Sequence, residues 1–156
     1  MKDFAMTIET RWLRAPQDLT PVFSIREAVF MKEQGFQNEF DDTDNSCWHL
    51  LLTVDGKAAG CARIFPDEGK MWHVGRVAVL SDYRKLHLGS RLMDEVADKV
   101  RALGGEGMIL SAQCQAVGFY QKNGFTVASE EYMDEHCPHR DMVRMLKPDA
   151  VLEDNK

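Results

Sequence analysis

The residues with the clearest chemical potential lie in a short basic loop between a predicted strand and a predicted helix. The apolar stretch Val77-Ala78-Val79-Leu80 comes first, Arg84 and Lys85 then supply two positive charges, and Gly89 stands where the helix begins. The first turn of a helix leaves backbone N–H groups without intrahelical acceptors, and the helix dipole favours an anion there. The loop therefore predicts a phosphate site, and a strand that ends at such a site indicates a nucleotide-bearing cofactor.

This loop matches none of the more specific phosphate-binding motifs. It lacks the Gly-Lys-Ser/Thr of a Walker A loop, and its single glycine excludes the dinucleotide fingerprint. Taken alone, an arginine followed by a glycine five positions later also fits an ordinary strand–loop–helix turn.

Length and composition limit the class of protein. A chain of 156 residues, 44% of them hydrophobic, predicts one globular domain, which we place at residues 1–147 with a polar tail at 148–156. The formal net charge of −6 argues against nucleic-acid binding, which needs clustered basic residues.

The N-terminus and the cysteines indicate the compartment. We find no apolar run near the length of roughly 18 residues that spans a membrane, and the first residues lack the apolar region of a signal peptide. Four cysteines without a Cys-x-x-Cys pair are typical of reduced thiols. We therefore expect a cytoplasmic protein that does not bind membranes.

Hydrophobic periodicity divides the chain into a mostly antiparallel first half and a second half with a helical crossover. Pro16 is expected in the first turn of a helix over Gln17–Glu33, and Asp55-Gly56 is expected to form a hairpin turn. The predicted strands are Met6–Leu13, His49–Val54, Ala58–Phe65, Met71–Val79, Gly107–Ala112, Phe125–Ala128 and Met142–Leu146. The predicted later helices are Leu88–Leu103 and Ala116–Lys122.

A second block of residues makes the interpretation specific. Ala116, Tyr120, Gly124 and Phe125 follow an Ala-x-x-x-Tyr-x-x-x-Gly-Phe pattern, downstream of the basic loop Arg84–Gly89. In this order and at this separation, the two blocks resemble the GNAT superfamily of acyl-coenzyme A-dependent N-acetyltransferases.

Further positions resemble the ElaA-like branch of that superfamily, over roughly residues 20 to 146. They are Arg26-x-x-Val29-Phe30, Glu33-Gln34, Glu39-x-Asp41, Asp44, His49, Ala112-Gln113 and His139-x-x-Met142. The resemblance implies an α+β fold with a mixed, mainly antiparallel seven-stranded sheet flanked by helices. Its fourth and fifth strands are expected to be parallel and splayed at one end to admit the coenzyme.

The resemblance also implies that acetyl-coenzyme A is the co-substrate and assigns its contacts. The pantetheine arm is expected to pair with the backbone of Val77, Ala78 and Val79, where an N–H group could also hold the developing oxyanion. The remaining cofactor-binding positions are Arg84, Lys85, Leu86, His87, Leu88, Gly89, Ser90, Gln113 and Phe119. His87 departs from the family, which has a glycine at this position, and could weaken coenzyme binding.

Catalytic roles follow from the same resemblance. Tyr120 matches the tyrosine that protonates the leaving thiolate in many members, although it could instead be a packing residue. His73 is a candidate general base, and so are Glu33, Glu39 and Asp41, with direct proton loss to water as a further possibility.

Acidic residues and one arginine could bind the acceptor substrate. Glu33 and Asp41 could attract a cationic amine, and Arg26 could bind a substrate carboxylate. The alternatives are a solvated acidic loop and an internal ion pair between Arg26 and one of the acids, and for Arg26 we favour the ion pair. We expect no metal site, because His136-Cys137-Pro138-His139 lacks zinc-ligand spacing and is better interpreted as a turn between the last two strands.

The sequence therefore predicts an N-acetyltransferase that moves an acetyl group from acetyl-coenzyme A to a primary amine by direct attack in a ternary complex. The acceptor is expected to be a small-molecule or peptide amine, and the protein a monomer or a homodimer. The alternative is a non-catalytic module that senses acyl-coenzyme A, which His87 favours and Tyr120 opposes.

Overall fold

The computed structural model describes residues 5–146, which fall into two compact units. The first unit is the chain up to Phe65 together with Gly75–Val96, and the second is Pro66–Val74 together with the chain from Ala97 onward. The predicted tail at 148–156 lies outside the described residues, and the single-domain interpretation stays a prediction.

The first unit contains an antiparallel set of strands. Strand β1 (Ile8–Leu13) pairs with β2 (Trp48–Val54), and β2 pairs with β3 (Lys57–Pro66). Asp55 and Gly56 join β2 to β3 with φ angles of 51° and 82°, so the predicted hairpin turn is confirmed. Most side chains of β2 and β3 are buried, whereas in β1 only Leu13 is buried.

The first helix begins later than the sequence predicted. Helix α1 covers Thr20–Arg26 and continues as a π-helical segment over Glu27–Glu33. Its first turn carries Pro21 rather than Pro16, and the Asp18 carboxylate accepts a hydrogen bond of 3.0 Å from the Thr20 N–H. The predicted start at Gln17 was therefore wrong, because Asp18 provides the turn that precedes the helix.

The second unit contains the parallel pair of strands. Strand β4 (Met71–Val79) pairs in parallel with β5 (Gly107–Gln113) over four residue pairs, from Met71–Gly107 to Val74–Leu110. Helix α2 (Leu88–Ala102) lies between these strands in the chain, so the predicted crossover and parallel pairing are confirmed.

The remaining strands of the second unit surround one long strand. Strand β8 (Cys137–Met145) pairs antiparallel with β5, with β6 (Thr126–Val127) and with β7 (Tyr132–Asp134). The short helix α3 (Val117–Lys122) follows β5. The hydrogen-bonded order is β1-β2-β3-β4-β5-β8-β6, with β7 on β8, which is a mixed, mainly antiparallel sheet as expected.

The strand β7 was not predicted, so the described residues form eight strands rather than seven. The chain reverses at Glu135, whose φ is 52°, and β8 already begins at Cys137. The turn predicted over His136–His139 therefore lies earlier in the chain. The sequence did not indicate its position, because the left-handed residue is not a glycine and no Asn-Gly or Asp-Gly pair marks the turn.

Close packing fixes α2 against the sheet of the first unit. A Cβ atom added at Gly60 of β3 would lie 3.3 Å from the Leu92 side chain and 3.2 Å from the Ala78 carbonyl oxygen. Leu88, Leu92 and Val96 of α2 are almost completely buried. Among residues 5–146, no helix is long and apolar enough to cross a membrane.

Candidate active site

The predicted phosphate loop of the first unit is a tight turn that leads into α2. A 3₁₀-helical turn covers Ser81–Leu86, and His87 follows it with φ 58° and ψ 30° before α2 begins at Leu88. This is the left-handed region that favours glycine, although histidine is among the side chains that tolerate it best. His87 therefore takes a backbone conformation that glycine adopts without strain.

The backbone amide groups at the start of α2 are the groups of this loop that could bind an anion. The first N–H groups of a helix have no intrahelical acceptors, and α2 is long enough to carry a substantial dipole. Lys85, His87 and Ser90 are exposed, while Leu86 and Gly89 are half-buried and Leu88 is buried. Lys85 makes no ion pair within residues 5–146, so its charge is available to a phosphate.

Arg84 holds this loop to two other parts of the first unit. Its Nε donates to the Val79 carbonyl oxygen at 2.8 Å, and its two terminal nitrogens donate to the Glu33 carboxylate at 2.5 and 2.6 Å. The hydrogen bond from Arg84 lowers the pKa of Glu33. Two residues predicted to contact different substrates are thus paired with each other.

The second half of β4 carries an irregularity at Arg76. Its φ of 50° is left-handed, and the Cys61 thiol donates to its carbonyl oxygen at 3.3 Å. The parallel pairing with β5 ends two residues earlier, at Val74. Beyond this point Ala78 is buried while Val77 and Val79 are half-buried, and their backbone is the predicted partner of the pantetheine arm.

Arg26 lies at the centre of a buried ion cluster in the first unit. Its Nε donates to Glu39 at 2.8 Å, and its Nη1 donates to Asp44 at 2.7 Å. The guanidinium carbon lies 5.3 Å from the ring centre of Phe23 and 5.1 Å from that of Phe40. With 1% of its surface exposed, Arg26 forms the internal ion pair that we favoured, and this geometry argues against contact with a substrate carboxylate.

Arg63 of β3 is a second cation in this cluster, and the sequence analysis missed it. It donates to Asp44 at 2.9 Å and to both oxygens of Asp41, at 2.7 and 3.0 Å. Burial alone would raise the pKa of Asp44, but Arg26 and Arg63 outweigh burial and lower it. The available signal was a single charge inside the otherwise apolar run of β3.

Arg76 completes the ion cluster. Its Nη2 donates to the Glu39 carbonyl oxygen at 2.8 Å, and its Nε lies 2.9 Å from the Glu39 carboxylate without good hydrogen-bond alignment. Burial raises the pKa of Glu39, and hydrogen bonding to Arg26 offsets only part of that effect. Three arginines and three carboxylates (Glu39, Asp41 and Asp44) thus balance each other.

This balance also bears on a possible metal site. Among the described residues, Asp44, Cys47 and His49 place one potential ligand atom each within 4.8 Å of the others. Both Asp44 oxygens accept hydrogen bonds from Arg26, and a divalent cation would face two guanidinium groups at close range. Burial raises the pKa of Cys47 to about 11, which disfavours the thiolate that a metal needs. The donor set therefore does not suit a metal.

Tyr120 lies on α3 in the second unit, between two other rings. The centres of Phe119 and Phe125 lie 5.0 and 5.8 Å from its own ring centre. Burial raises the pKa of Tyr120 well above its ordinary value. Within residues 5–146 its hydroxyl makes no hydrogen bond, so a neutral phenol is available to a ligand.

The other predicted residues of the second unit lie on strands. His73 is half-buried on β4 and pairs in register with Ile109, while Gln113 ends β5 opposite His139. The Gln113 side-chain oxygen accepts a hydrogen bond of 2.5 Å from the Gln115 amide. Neither placement by itself assigns a catalytic or coenzyme-binding role.

A mixed sheet with one parallel pair, and a basic loop that leads into a long helix, agree with the fold that the two sequence blocks predicted. A family model described as an acetyltransferase (GNAT) domain matches residues 20–146, and the chain belongs to this family.

Relatives agree with this assignment. A Bacillus subtilis (strain 168) protein, named as a candidate acetyltransferase, is 37% identical over 142 residues, covering 88% of this chain and 94% of its own. ElaA of Escherichia coli (strain K12) is 29% identical over 132 residues, covering 81% of this chain and 86% of its own.

Solved structures show the same fold. The crystal structure of Escherichia coli ElaA has a TM-score of 0.79 at 26% identity and covers 88% of this chain and 99% of its own. N-acetylglutamate synthase from Neisseria gonorrhoeae, complexed with coenzyme A and N-acetyl-glutamate, has a TM-score of 0.70 at 19% identity, with 94% of this chain and 36% of that chain covered.

Proposed function

We propose that this protein is an N-acetyltransferase that transfers the acetyl group of acetyl-coenzyme A to a primary amine. The observation that carries the proposal is Tyr120, which is half-buried between Phe119 and Phe125 and whose hydroxyl makes no hydrogen bond among residues 5–146. A hydroxyl without an acceptor is free to give its proton to a leaving sulfur. A sensor of acyl-coenzyme A would not require a proton donor.

The first unit supplies the proposed coenzyme contacts. Backbone amides at the start of α2 and the charge of Lys85 would hold the diphosphate, and Ser90 adds a hydroxyl donor. The left-handed His87 orients this turn as a glycine would. The coenzyme A that accompanies N-acetylglutamate synthase, a protein of the same fold, supports this part of the proposal.

The coenzyme supplies the acetyl group as a thioester, and groups of the protein stabilise the charges that develop during the transfer. A backbone N–H of Val77–Val79 is proposed to stabilise the negative charge on the carbonyl oxygen as the amine nitrogen bonds to carbon. As the carbon–sulfur bond breaks, Tyr120 gives its proton to sulfur and later regains one from water. An acceptor that binds as ammonium first loses one proton to water, and its nitrogen loses a second as the amide forms. From the neutral amine onward, the overall balance is amine plus thioester to amide plus thiol.

The carboxylates of the first unit are weak candidates for the base that takes the amine proton. Glu33 is paired with Arg84, and Glu39 with Arg26 and Arg76. Asp41 is paired with Arg63. Proton loss to water, or to His73, therefore fits the charge distribution better than these acids do.

An acyl-enzyme through Cys114 is not needed in this proposal. Burial and a hydrogen bond to Glu131 raise the pKa of the Cys114 thiol. A nucleophilic cysteine needs the opposite shift, because the thiolate is the attacking form. Direct attack in a ternary complex is therefore the proposed order of events.

Release of free thiol from acetyl-coenzyme A in the presence of a panel of primary amines tests the proposal against the sensor. The proposal requires release that depends on both the protein and an amine. Tight coenzyme binding without release over every amine would instead establish the sensor.

A further inference from the structure

The polar groups of one sheet face in the second unit form a directed chain of hydrogen bonds. The Tyr132 hydroxyl donates to the Asp141 carboxylate at 2.5 Å, and the same hydroxyl contacts Ser111 Oγ. A phenol has one hydrogen and a carboxylate can only accept, so the Ser111 hydroxyl must donate to Tyr132. The chain runs from Ser111 through Tyr132 to Asp141, which leaves lone pairs on Ser111 Oγ and on the carboxylate.

Strand register explains why these three side chains meet. Ser111 of β5 lies directly opposite Asp141 of β8, and Tyr132 of β7 lies opposite His139, two residues from Asp141. Residues two apart on a strand point to the same face. Ser111 is exposed and 38% of Tyr132 is accessible, so this face can receive a ligand.

Asp141 differs from the carboxylates that the sequence analysis selected. Glu33, Glu39 and Asp41 are each neutralised by an arginine at hydrogen-bond distance. Within the described part of the chain, Asp141 forms no ion pair, and its side chain accepts a hydrogen bond from Tyr132. Its negative charge is therefore not compensated by a neighbouring cation.

Two aromatic rings lie beside the Asp141 carboxylate. The ring of Tyr132 stacks on that of His139, with centres 6.2 Å apart and an interplanar angle of 24°. An ammonium group has three N–H donors and no acceptor, and it is attracted to both carboxylates and the faces of phenol rings. The lone pairs on Ser111 Oγ and Asp141 can accept the N–H groups, the Asp141 carboxylate can balance the positive charge, and the Tyr132 ring can lie beside it.

We propose that Asp141, Tyr132 and Ser111 form a binding subsite for the ammonium group of a primary amine. The site is inferred from this geometry, and its description as the acceptor subsite of an acetyltransferase rests on the proposed function. The carboxylate would bind the charge, Ser111 Oγ would accept a second N–H, and Tyr132 would fix the orientation of the carboxylate.

The direct test titrates the full chain with butylamine, using butan-1-ol as the uncharged probe, and follows backbone amide signals by nuclear magnetic resonance. We expect butylamine, and not butan-1-ol, to shift signals of β5, β7 and β8 around the three residues. Asp141→Asn should raise the Kd for butylamine about tenfold, the effect of losing a hydrogen bond to a charged group. Shifts confined to other parts of the chain would overturn the proposal.

Asp67→Asn is the matched control, because it removes the same charge from an exposed position of the second unit, in the turn before β4 and away from the three residues. We expect it to change the Kd less than about twofold, as screened charges do. An equal loss of butylamine affinity in the two variants would show that only the net charge of the protein matters, and it would overturn the proposed subsite. If Asp141→Asn does not fold, Tyr132→Phe replaces it, with an expected loss of about threefold; an unchanged Kd would overturn the proposal.

Kinetics separate this inference from the proposed function. If thiol release occurs, Asp141→Asn should raise KM for the amine while KM for acetyl-coenzyme A stays constant. An unchanged amine KM would reject the subsite and leave the acetyltransferase proposal intact. Butylamine binding that depends on Asp141, without thiol release from any amine, would support the subsite and reject the acetyltransferase.

Discussion

Arg84 and Glu33 are 51 residues apart in the chain and form a two-pronged ion pair at the entrance to helix α2. The same guanidinium also binds the carbonyl oxygen of Val79, the last residue of β4. Arg84 therefore joins the end of the π-helical segment, the end of β4 and the basic loop. We interpret it as a residue that positions the loop rather than one whose charge is reserved for phosphate.

This pair leads to a prediction about coenzyme affinity. If Arg84 acts by holding the loop, Arg84→Ala and Glu33→Gln should each weaken acetyl-coenzyme A binding several-fold, and the double variant should be no weaker than the worse single variant. Isothermal titration of the four proteins measures this. Tighter or unchanged binding in Glu33→Gln, with a large loss in Arg84→Ala, would show that Arg84 binds the phosphates itself.

Tyr120→Phe tests the proposed proton donor. Because the substitution removes one hydroxyl and keeps the ring packed between Phe119 and Phe125, we expect kcat to fall by roughly 10²-fold or more with little change in acetyl-coenzyme A affinity. Tyr83→Phe, a tyrosine of the phosphate loop outside this ring cluster, is the control for the chemistry of the substitution, and it should leave kcat unchanged whatever its effect on coenzyme affinity. A kcat equal to that of the unsubstituted protein would remove Tyr120 from the mechanism.

The acid stability of the protein should depend on Asp44. Arg26 and Arg63 hold its pKa below the ordinary value of 3.8, so its contribution is complete above that value and is lost as the pH falls through the lower, folded-state pKa. Asp44→Asn should lower the free energy of unfolding at pH 7 by about 3 kcal/mol or more, because it unbalances a buried ion cluster.

The matching measurement is denaturant unfolding from neutral to strongly acidic pH. We expect the difference between the unsubstituted protein and Asp44→Asn to shrink in acid, since both then carry an uncharged group at this position. Asp98→Asn, at an exposed ion pair with Arg101, should change stability by less than about 1 kcal/mol; a constant gap for Asp44→Asn at all pH values would contradict the account.

His87 tests the geometry of the phosphate loop. Valine tolerates its left-handed φ of 58° poorly, so His87→Val should destabilise the protein by about 1–2 kcal/mol and weaken acetyl-coenzyme A binding. His87→Gly should bind the coenzyme at least as tightly as the unsubstituted protein. His136→Val, an exposed histidine without a positive φ, is the control; weaker binding by His87→Gly would show that the imidazole itself contacts the coenzyme.

Local patterns predicted most of the fold because apolar periodicity and turn residues determine it. Strand β4 matches its predicted bounds, and Asp55-Gly56 forms the predicted turn. Strand β7 was not predicted, because the turn after it depends on a left-handed φ at Glu135, and a glutamate does not indicate such a turn. The predicted helix start failed at Pro16 because a second proline, Pro21, occupies the first turn.

Side-chain partners were harder to predict than elements. The sequence identified Arg26 and the acids as an ion-pair candidate, but Arg63 and Arg76 come from β3 and β4, 19 residues from Asp44 and 37 residues from Glu39 in the chain. The same is true of Ser111, Tyr132 and Asp141, which come together only through the registers of β5, β7 and β8. Contacts of this kind depend on tertiary structure, which spacing along the chain does not encode.

The most direct test follows an isotopically labelled acetyl group from acetyl-coenzyme A to a primary amine by mass spectrometry, alongside the release of free thiol. We predict one acetylated amine for each thiol released, with rates that saturate in both substrates and fall in Tyr120→Phe. Bound coenzyme with no labelled amine, or thiol released without transfer of the label, would contradict the account.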